Sequence, residues 1–164
     1  MLRTEIAQTY FSQGFSCSQA VAAAFAADFE LDPALLLRAA AAFGGGIGRS
    51  GDTCGAVAGA LMVIGLRYGI TRPDPLAKEH TYARAREFMA RFQARNGALR
   101  CRDLLGFDFA TPEGQAAIRE RKLTHTICPG LVVSAVEILA ACSQFDKRPR
   151  CVYTPSCTQF SHVI

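Results

Sequence analysis

The chain has 164 residues, 50% of them hydrophobic and 20% charged, with a formal net charge of +4. That composition excludes a disordered polymer, and the length is enough to bury a core without covalent staples. The mild basic balance lacks the dense basic stripe with exposed aromatics that marks a nucleic-acid binder, so no nucleic-acid partner is expected.

Met1 to Tyr10 carries Arg3 and Glu5 and shows no apolar core or cleavage pattern of a signal peptide. The apolar runs Cys54–Leu66 and Leu131–Cys142 fall short of the roughly 20 residues that cross a bilayer. The expectation is a soluble, cytoplasmic protein with no membrane insertion. Seven cysteines are many for such a chain. An odd number without a secretory signal argues against a disulfide framework and for reactive or metal-binding thiols, although no C-x-x-C occurs.

Thr4 to Ser12 reads as a short amphipathic helix stopped by Gly14, and Ser16 caps a second that runs through Val21, Ala24, Phe25 and Phe29. Asp32-Pro33 opens a third, through Leu36, Ala40 and Phe43. The run Phe43–Gly69 is then unlike its surroundings. A loop holding Gly44, Gly45, Gly46, Gly48 and Gly51 leads to Asp52 or Thr53 as an N-cap, and Cys54 falls in the first turn of a long apolar helix that Gly69 ends. On that helix Gly55 and Gly59, with Ala56, Ala58 and Ala60, leave one face nearly flat, which suits close approach of another helix or a homodimer contact.

Thr71 to Pro75 is a rigid turn before the longest helix, Leu76–Asn96, with Ala85, Phe88, Met89 and Phe92 inward and Lys78, Arg84, Arg91 and Arg95 on a solvated face; His80 is read as structural. Cys101 begins a short helical turn, Phe107–Ala110 is an aromatic loop, and Thr111-Pro112 opens another short helix. Cys128, followed by Pro129, occupies the cap of a last apolar helix ending near Cys142. No strand pattern of convincing length appears. The fold class expected is all-α, a compact bundle of about six to eight helices over residues 1–142, with residues 143–164 as a C-terminal extension.

Cys17, Cys54, Cys101 and Cys128 lie far apart in the chain yet share one setting, the start of a helix. Unpaired N–H groups and the positive end of the helix dipole favour thiolate there. If those ends converge, four thiolates could bind zinc or an iron–sulfur cluster, or serve as redox-active thiols. The glycine loop is no nucleotide cradle, since no Lys-Ser or Lys-Thr follows and no strand precedes it. His125, three residues before Cys128, is a possible fifth ligand or base, and Arg49 a possible counter-charge; either could equally be plain loop residues.

The stretch Cys54-Gly55-Ala56-Val57-Ala58-Gly59, preceded by Phe-Gly-Gly-Gly-Ile-Gly-Arg and flanked by single cysteines once upstream and twice downstream, resembles the redox-active protein family C_GCAxxG_C_C. The resemblance covers roughly Thr4 to Ala141 and places the four defining cysteines on Cys17, Cys54, Cys101 and Cys128. It implies an all-helical redox protein and, from the family's gene neighbourhood, a link to transporters. Cys142, Cys151 and Cys157 fall outside the pattern and are read as incidental.

The leading expectation is an electron-transfer protein whose four cysteines hold an iron–sulfur cluster, with zinc or no metal as the other outcomes. Gly44, Gly45, Gly46, Gly48, Gly55 and Gly59 would line the cofactor, and a redox partner protein is implied. The alternatives are a thiol–disulfide or peroxide enzyme with Cys54 as nucleophile, and a metal-binding accessory protein of a transporter.

Overall fold

A computed structural model describes residues 1–141 of the chain. The expected extension over residues 143–164 and the incidental Cys142, Cys151 and Cys157 lie outside the described residues. Within them the fold is all-α: helices and turns with an isolated β-bridge, Thr53 to Arg100.

The local start signals act as their chemistry demands. In α1 (Arg3–Ser12) the Leu2 N–H donates to the Glu5 carboxylate at 2.8 Å. Helix α2 (Cys17–Ala23) begins with a reciprocal cap: the Gln19 N–H donates to Ser16 Oγ and the Ser16 N–H to Gln19 Oε1 at 2.9 Å. Asp32 caps α3 (Pro33–Ala40) by accepting from the Ala34 N–H at 2.9 Å. Asp74 does the same for α5 (Pro75–Asn96), which follows α4 (Gly55–Tyr68), and Thr111 for α7 (Pro112–Glu120), which follows α6 (Cys101–Leu105). The chain ends its described part with α8 (Leu123–Thr126) and α9 (Cys128–Ala141).

Several elements depart from expectation. The second helix does not continue to Phe29. It gives way to a 3-10 turn, Ala26–Phe29, and Glu30 then adopts a left-handed conformation. The tighter turn buries Phe25 and carries Asp28 to Arg3, whose guanidinium donates to both carboxylate oxygens at 2.6 and 3.0 Å. The cap of α4 is Cys54 itself and not Asp52 or Thr53, because those two residues are drawn into the bridge with Arg100. Cys128 is the first residue of α9 rather than its cap, since α8 leads almost directly into it.

Helices α2, α4 and α9 form the centre, with α1, α3 and α5 packed around them. Phe88 and Phe92 of α5 are fully buried, each adding about 1.5–3 kcal/mol of hydrophobic stabilisation. By itself the last apolar run, Leu131–Cys142, is too short to cross a membrane. Joined to α8, the helical stretch Leu123–Ala141 is long and apolar enough by composition. It nevertheless packs inside the molecule, with Leu131, Val132, Ala135, Val136, Ile138 and Leu139 buried against α1, α2, α4 and α5.

The flat face of α4 meets α2. A Cβ added at Gly59 would lie 2.5 Å from the Ser18 carbonyl oxygen, and one at Gly55 would lie 3.3 Å from Cys17 Cβ. Only glycine lets the two backbones approach so closely, and that approach sets Cys17 beside the start of α4. Buried Ser18 then ties α2 to the end of α3 by donating to the Ala40 carbonyl at 2.9 Å.

Candidate redox-thiol centre

The four cysteines at helix starts are brought together. Cys54 belongs to the main apolar core and Cys101 and Cys128 to a smaller cluster with Leu105 and Ile118, while Cys17 packs against both. All four thiols are free, and each sits where a helix begins: Cys17, Cys101 and Cys128 at the first helical residue, Cys54 at the cap. Cys54, Cys101 and Cys128 are only 2%, 6% and 5% exposed; Cys17 is half-buried.

Backbone pairing holds Cys54 next to Cys101. The Cys54 N–H donates to the Leu99 carbonyl at 2.8 Å, and the Cys101 N–H donates to the Asp52 carbonyl at 2.7 Å, on either side of the Thr53–Arg100 bridge. Alternate residues of an extended pair project from one face, so both cysteine side chains leave the clip on the same side. Cys17 and Cys128 meet differently: Cys17 packs against the cluster that holds Cys128, and the two thiols act on each other's ionisation.

The glycine loop closes over this arrangement. Gly45, Gly46, Ile47, Gly48 and Arg49 are consecutive left-handed residues, a winding that L-residues other than glycine resist. At Gly46 a Cβ would lie 2.7 Å from Cys101 Cβ, so the loop packs its bare backbone on that cysteine. Arg102 fastens the loop: its guanidinium donates to the carbonyls of Gly51 and Ser50 at 3.1 and 3.0 Å and to Asp108 at 2.8 Å. Among the glycines expected to line a cofactor, Gly44, Gly46, Gly55 and Gly59 face protein atoms of Ser16, Asp52, Cys101, Cys17 and Ser18.

Electrostatics separate the thiols. The N–H groups of Ala56 and Val57 donate toward Cys54 and favour its thiolate, as the helix start predicts, but burial outweighs them and pushes the thiol up to about 11. The expectation that Cys54 is the readily ionised thiol is therefore reversed. Burial likewise pushes Cys101 up, to about 12, helped by the negative charge of Cys54, Cys128 and Asp108. In the remaining pair the Cys17 thiol donates to Cys128. This holds Cys17 protonated, with burial and the other three cysteines adding to the rise, and lowers Cys128 against the opposing effect of its own burial.

Among the described residues no group of three or more His, Cys, Asp or Glu side chains stands close enough to hold one ion. His125 and Arg49 instead line a cavity beside the thiols, with Arg119 and Lys122, residues that their spacing in the sequence does not bring together.

The family model described as "Putative redox-active protein (C_GCAxxG_C_C)" matches residues 15–142, a span that holds all four cysteines. No curated protein and no solved structure matches the chain.

Proposed function

The chain belongs to the C_GCAxxG_C_C family of redox-active proteins, and from that premise we propose that Cys17 and Cys128 form a reversible dithiol–disulfide couple. The observation that carries the reading is the packing of Cys17 against the cluster that holds Cys128, where the neighbouring Cys17 thiol lowers Cys128 while its own ionisation is pushed up. A thiolate steadied by a neighbouring thiol is the resting form of a two-cysteine exchange centre.

The Cys128 thiolate attacks one sulfur of a partner's disulfide, forming a mixed disulfide and releasing the partner's other thiolate. Cys17 gives its proton to that leaving thiolate and attacks the Cys128 sulfur, closing the Cys17–Cys128 bond and releasing the second partner sulfur as a thiolate, which takes its proton from solvent. Two electrons pass to the partner, a redox protein or a small disulfide. Cys54 and Cys101, both held as thiols by burial, are spectators in this step.

Equilibrating the reduced protein with hydroxyethyl disulfide, trapping with an alkylating agent and mapping the peptides tests the reading. A Cys17–Cys128 disulfide that dithiothreitol reverses is expected. Four freely alkylated cysteines, or a crosslink between other positions, would overturn it.

A second reading has its own support in the mutual charge coupling of all four thiols and the Ala56 and Val57 N–H groups turned on Cys54. Such a set suits an anionic iron–sulfur cluster held by Cys17, Cys54, Cys101 and Cys128, which would supply one-electron transfer. It suits a single zinc less. Four sulfurs around one tetrahedral zinc close to within about 3.8 Å of each other, and among the described residues no three ligands are so placed. Anaerobic incubation with ferrous iron and sulfide separates the readings: stoichiometric iron and a visible chromophore bleached by dithionite support the cluster, and a colourless, iron-free protein counts against it.

A further inference from the structure

Outside Ile118 lies a cavity of about 590 Å³, built where three segments meet. The glycine loop contributes Arg49, the connection after α6 contributes Phe109, and α7 with the start of α8 contributes Gln115, Arg119, Lys122 and His125. Ile118 also belongs to the apolar cluster of Cys101 and Cys128, so the floor of the cavity is the outer wall of the thiol centre.

Its lining is electrically one-sided. Among the described residues no acidic one takes part. Neighbouring cations are already engaged, Arg102 with Asp108 at 2.8 Å and Arg121 over the Phe107 ring at 4.7 Å. By contrast, among the described residues no hydrogen bond or ion pair holds the side chains of Arg49, Arg119 or Lys122. All three are exposed, so water and salt screen their mutual repulsion, but an anion seated among them would meet three cations at once.

Two of these cations also stand on costly backbone. Arg49 has φ 65° and Lys122 φ 53°, conformations worth roughly 1–2 kcal/mol each against a non-glycine residue. Sequence alone would place glycine or asparagine there. Both cations line the same cavity, brought there by the glycine loop and by the start of α8.

We propose that this cavity binds a small organic polyanion bearing two or more carboxylate or phosphate groups. The volume falls in the range of small-molecule sites, roughly 300–1,000 Å³. Arg49 and Arg119 offer forked donors to the acid groups, Lys122 a point charge, and Gln115 and His125 further polar partners. Phe109, half-buried beside the core residue Ile118, gives the ligand's carbon body an apolar face. The inference stands whether the thiols exchange disulfides or hold a cluster, because it uses none of the four cysteines.

Calorimetric titration of the full reduced chain at low salt with two probes, pyrophosphate and propane-1,2,3-tricarboxylate, tests it and tells phosphate from carboxylate. Saturable one-to-one binding of either probe, with a Kd under about 1 mM, is expected, weakened about tenfold in Arg119→Gln and in Arg49→Gln as a charge-assisted contact is lost. Arg86→Gln, on the exposed face of α5, should leave the affinity unchanged. Arg119 is an exposed position on α7, so its variant carries the test even if Arg49→Gln does not fold. Absence of binding by both probes, or equal affinity in wild type and Arg119→Gln, would overturn the proposal.

Discussion

Cys54 and Cys101 are neighbours because the backbone pairs on either side of the Thr53–Arg100 bridge: the Cys54 N–H donates to the Leu99 carbonyl at 2.8 Å and the Cys101 N–H to the Asp52 carbonyl at 2.7 Å. The positions of both sulfurs are thus fixed by main-chain hydrogen bonds and by what packs on them, before any bond or ion joins them. Gly46 is what packs on Cys101.

Gly46→Ala should therefore disturb the centre. Its φ of 73° is strained for alanine, and the new methyl would meet Cys101 Cβ at 2.7 Å and the Asp52 backbone at 2.6 Å. A loss of about 2–4 kcal/mol, strain plus overpacking, is expected in urea unfolding. Faster alkylation of Cys101 in the folded protein should accompany it. A variant with wild-type stability and unaltered Cys101 would show that the loop does not clamp that cysteine.

Gly59→Ala probes the other contact. The added methyl lies 2.5 Å from the Ser18 carbonyl oxygen, and backbone cannot yield as a side chain can. Although alanine favours helix by about 1 kcal/mol over glycine, separating α4 from α2 should make the substitution destabilising by about 1–3 kcal/mol. Gly65→Ala is the control, since among the described residues nothing beyond its own turn of helix lies within 4 Å of its added methyl. The two unfolding midpoints should move in opposite directions.

The signals that sequence carried well are the ones confined to a few residues. Asp32-Pro33 and Thr111-Pro112 each start a helix as their caps demand, and the phenylalanines of α5 point inward at helical spacing; Asp74-Pro75, read as the end of a turn, also caps and opens α5. What it hid depends on distant partners. Asp52-Thr53 looks like a cap in isolation and becomes half of a bridge only because Arg100 arrives beside it. Cys54 at a helix start looks acidic until the core that covers it is built, and then burial decides. Arg49, Arg119 and Lys122 share a cavity that no local pattern announces. That Cys17, Cys54, Cys101 and Cys128 begin helices was readable, but that Cys17 chooses Cys128 was not.

The Arg102 fastening can be cut from outside. Its three hydrogen bonds, to Gly51, Ser50 and Asp108, join the glycine loop to α6. Arg102→Ala should cost about 1–3 kcal/mol, with partial exposure keeping it low in that range. Loop amides near Ser50 and Gly51 should exchange hydrogen faster than those of α5. Unchanged exchange would mean that the loop is held by its own winding.

Cys17→Ala removes the thiol that lowers Cys128, leaving only the burial that raises it. The alkylation rate of Cys128 at pH 7.5 should fall, and the midpoint of its pH–rate curve should move upward. Cys17→Ser keeps a donor at nearly the same place and should recover part of the wild-type rate. If both variants alkylate as the wild type does, the pair does not govern the reactivity of Cys128.

Burial of Cys54 makes stability depend on pH. Its thiol ionises at 9.0 when unperturbed and at about 11 in the folded chain. A group raised on folding contributes stability that is complete below the unfolded value and lost as pH climbs through the folded one. The loss therefore falls between about pH 9 and pH 11, and two units correspond to about 3 kcal/mol at most. Cys101 and Cys17 are raised too and act in the same sense, whereas lowered Cys128 opposes them. Comparing urea unfolding at pH 8 and pH 10.5 isolates Cys54 when wild type is set against Cys54→Ala: both lose stability, and the variant should lose about 1–2 kcal/mol less. An equal loss in the two proteins would mean that Cys54 is not held as a buried thiol.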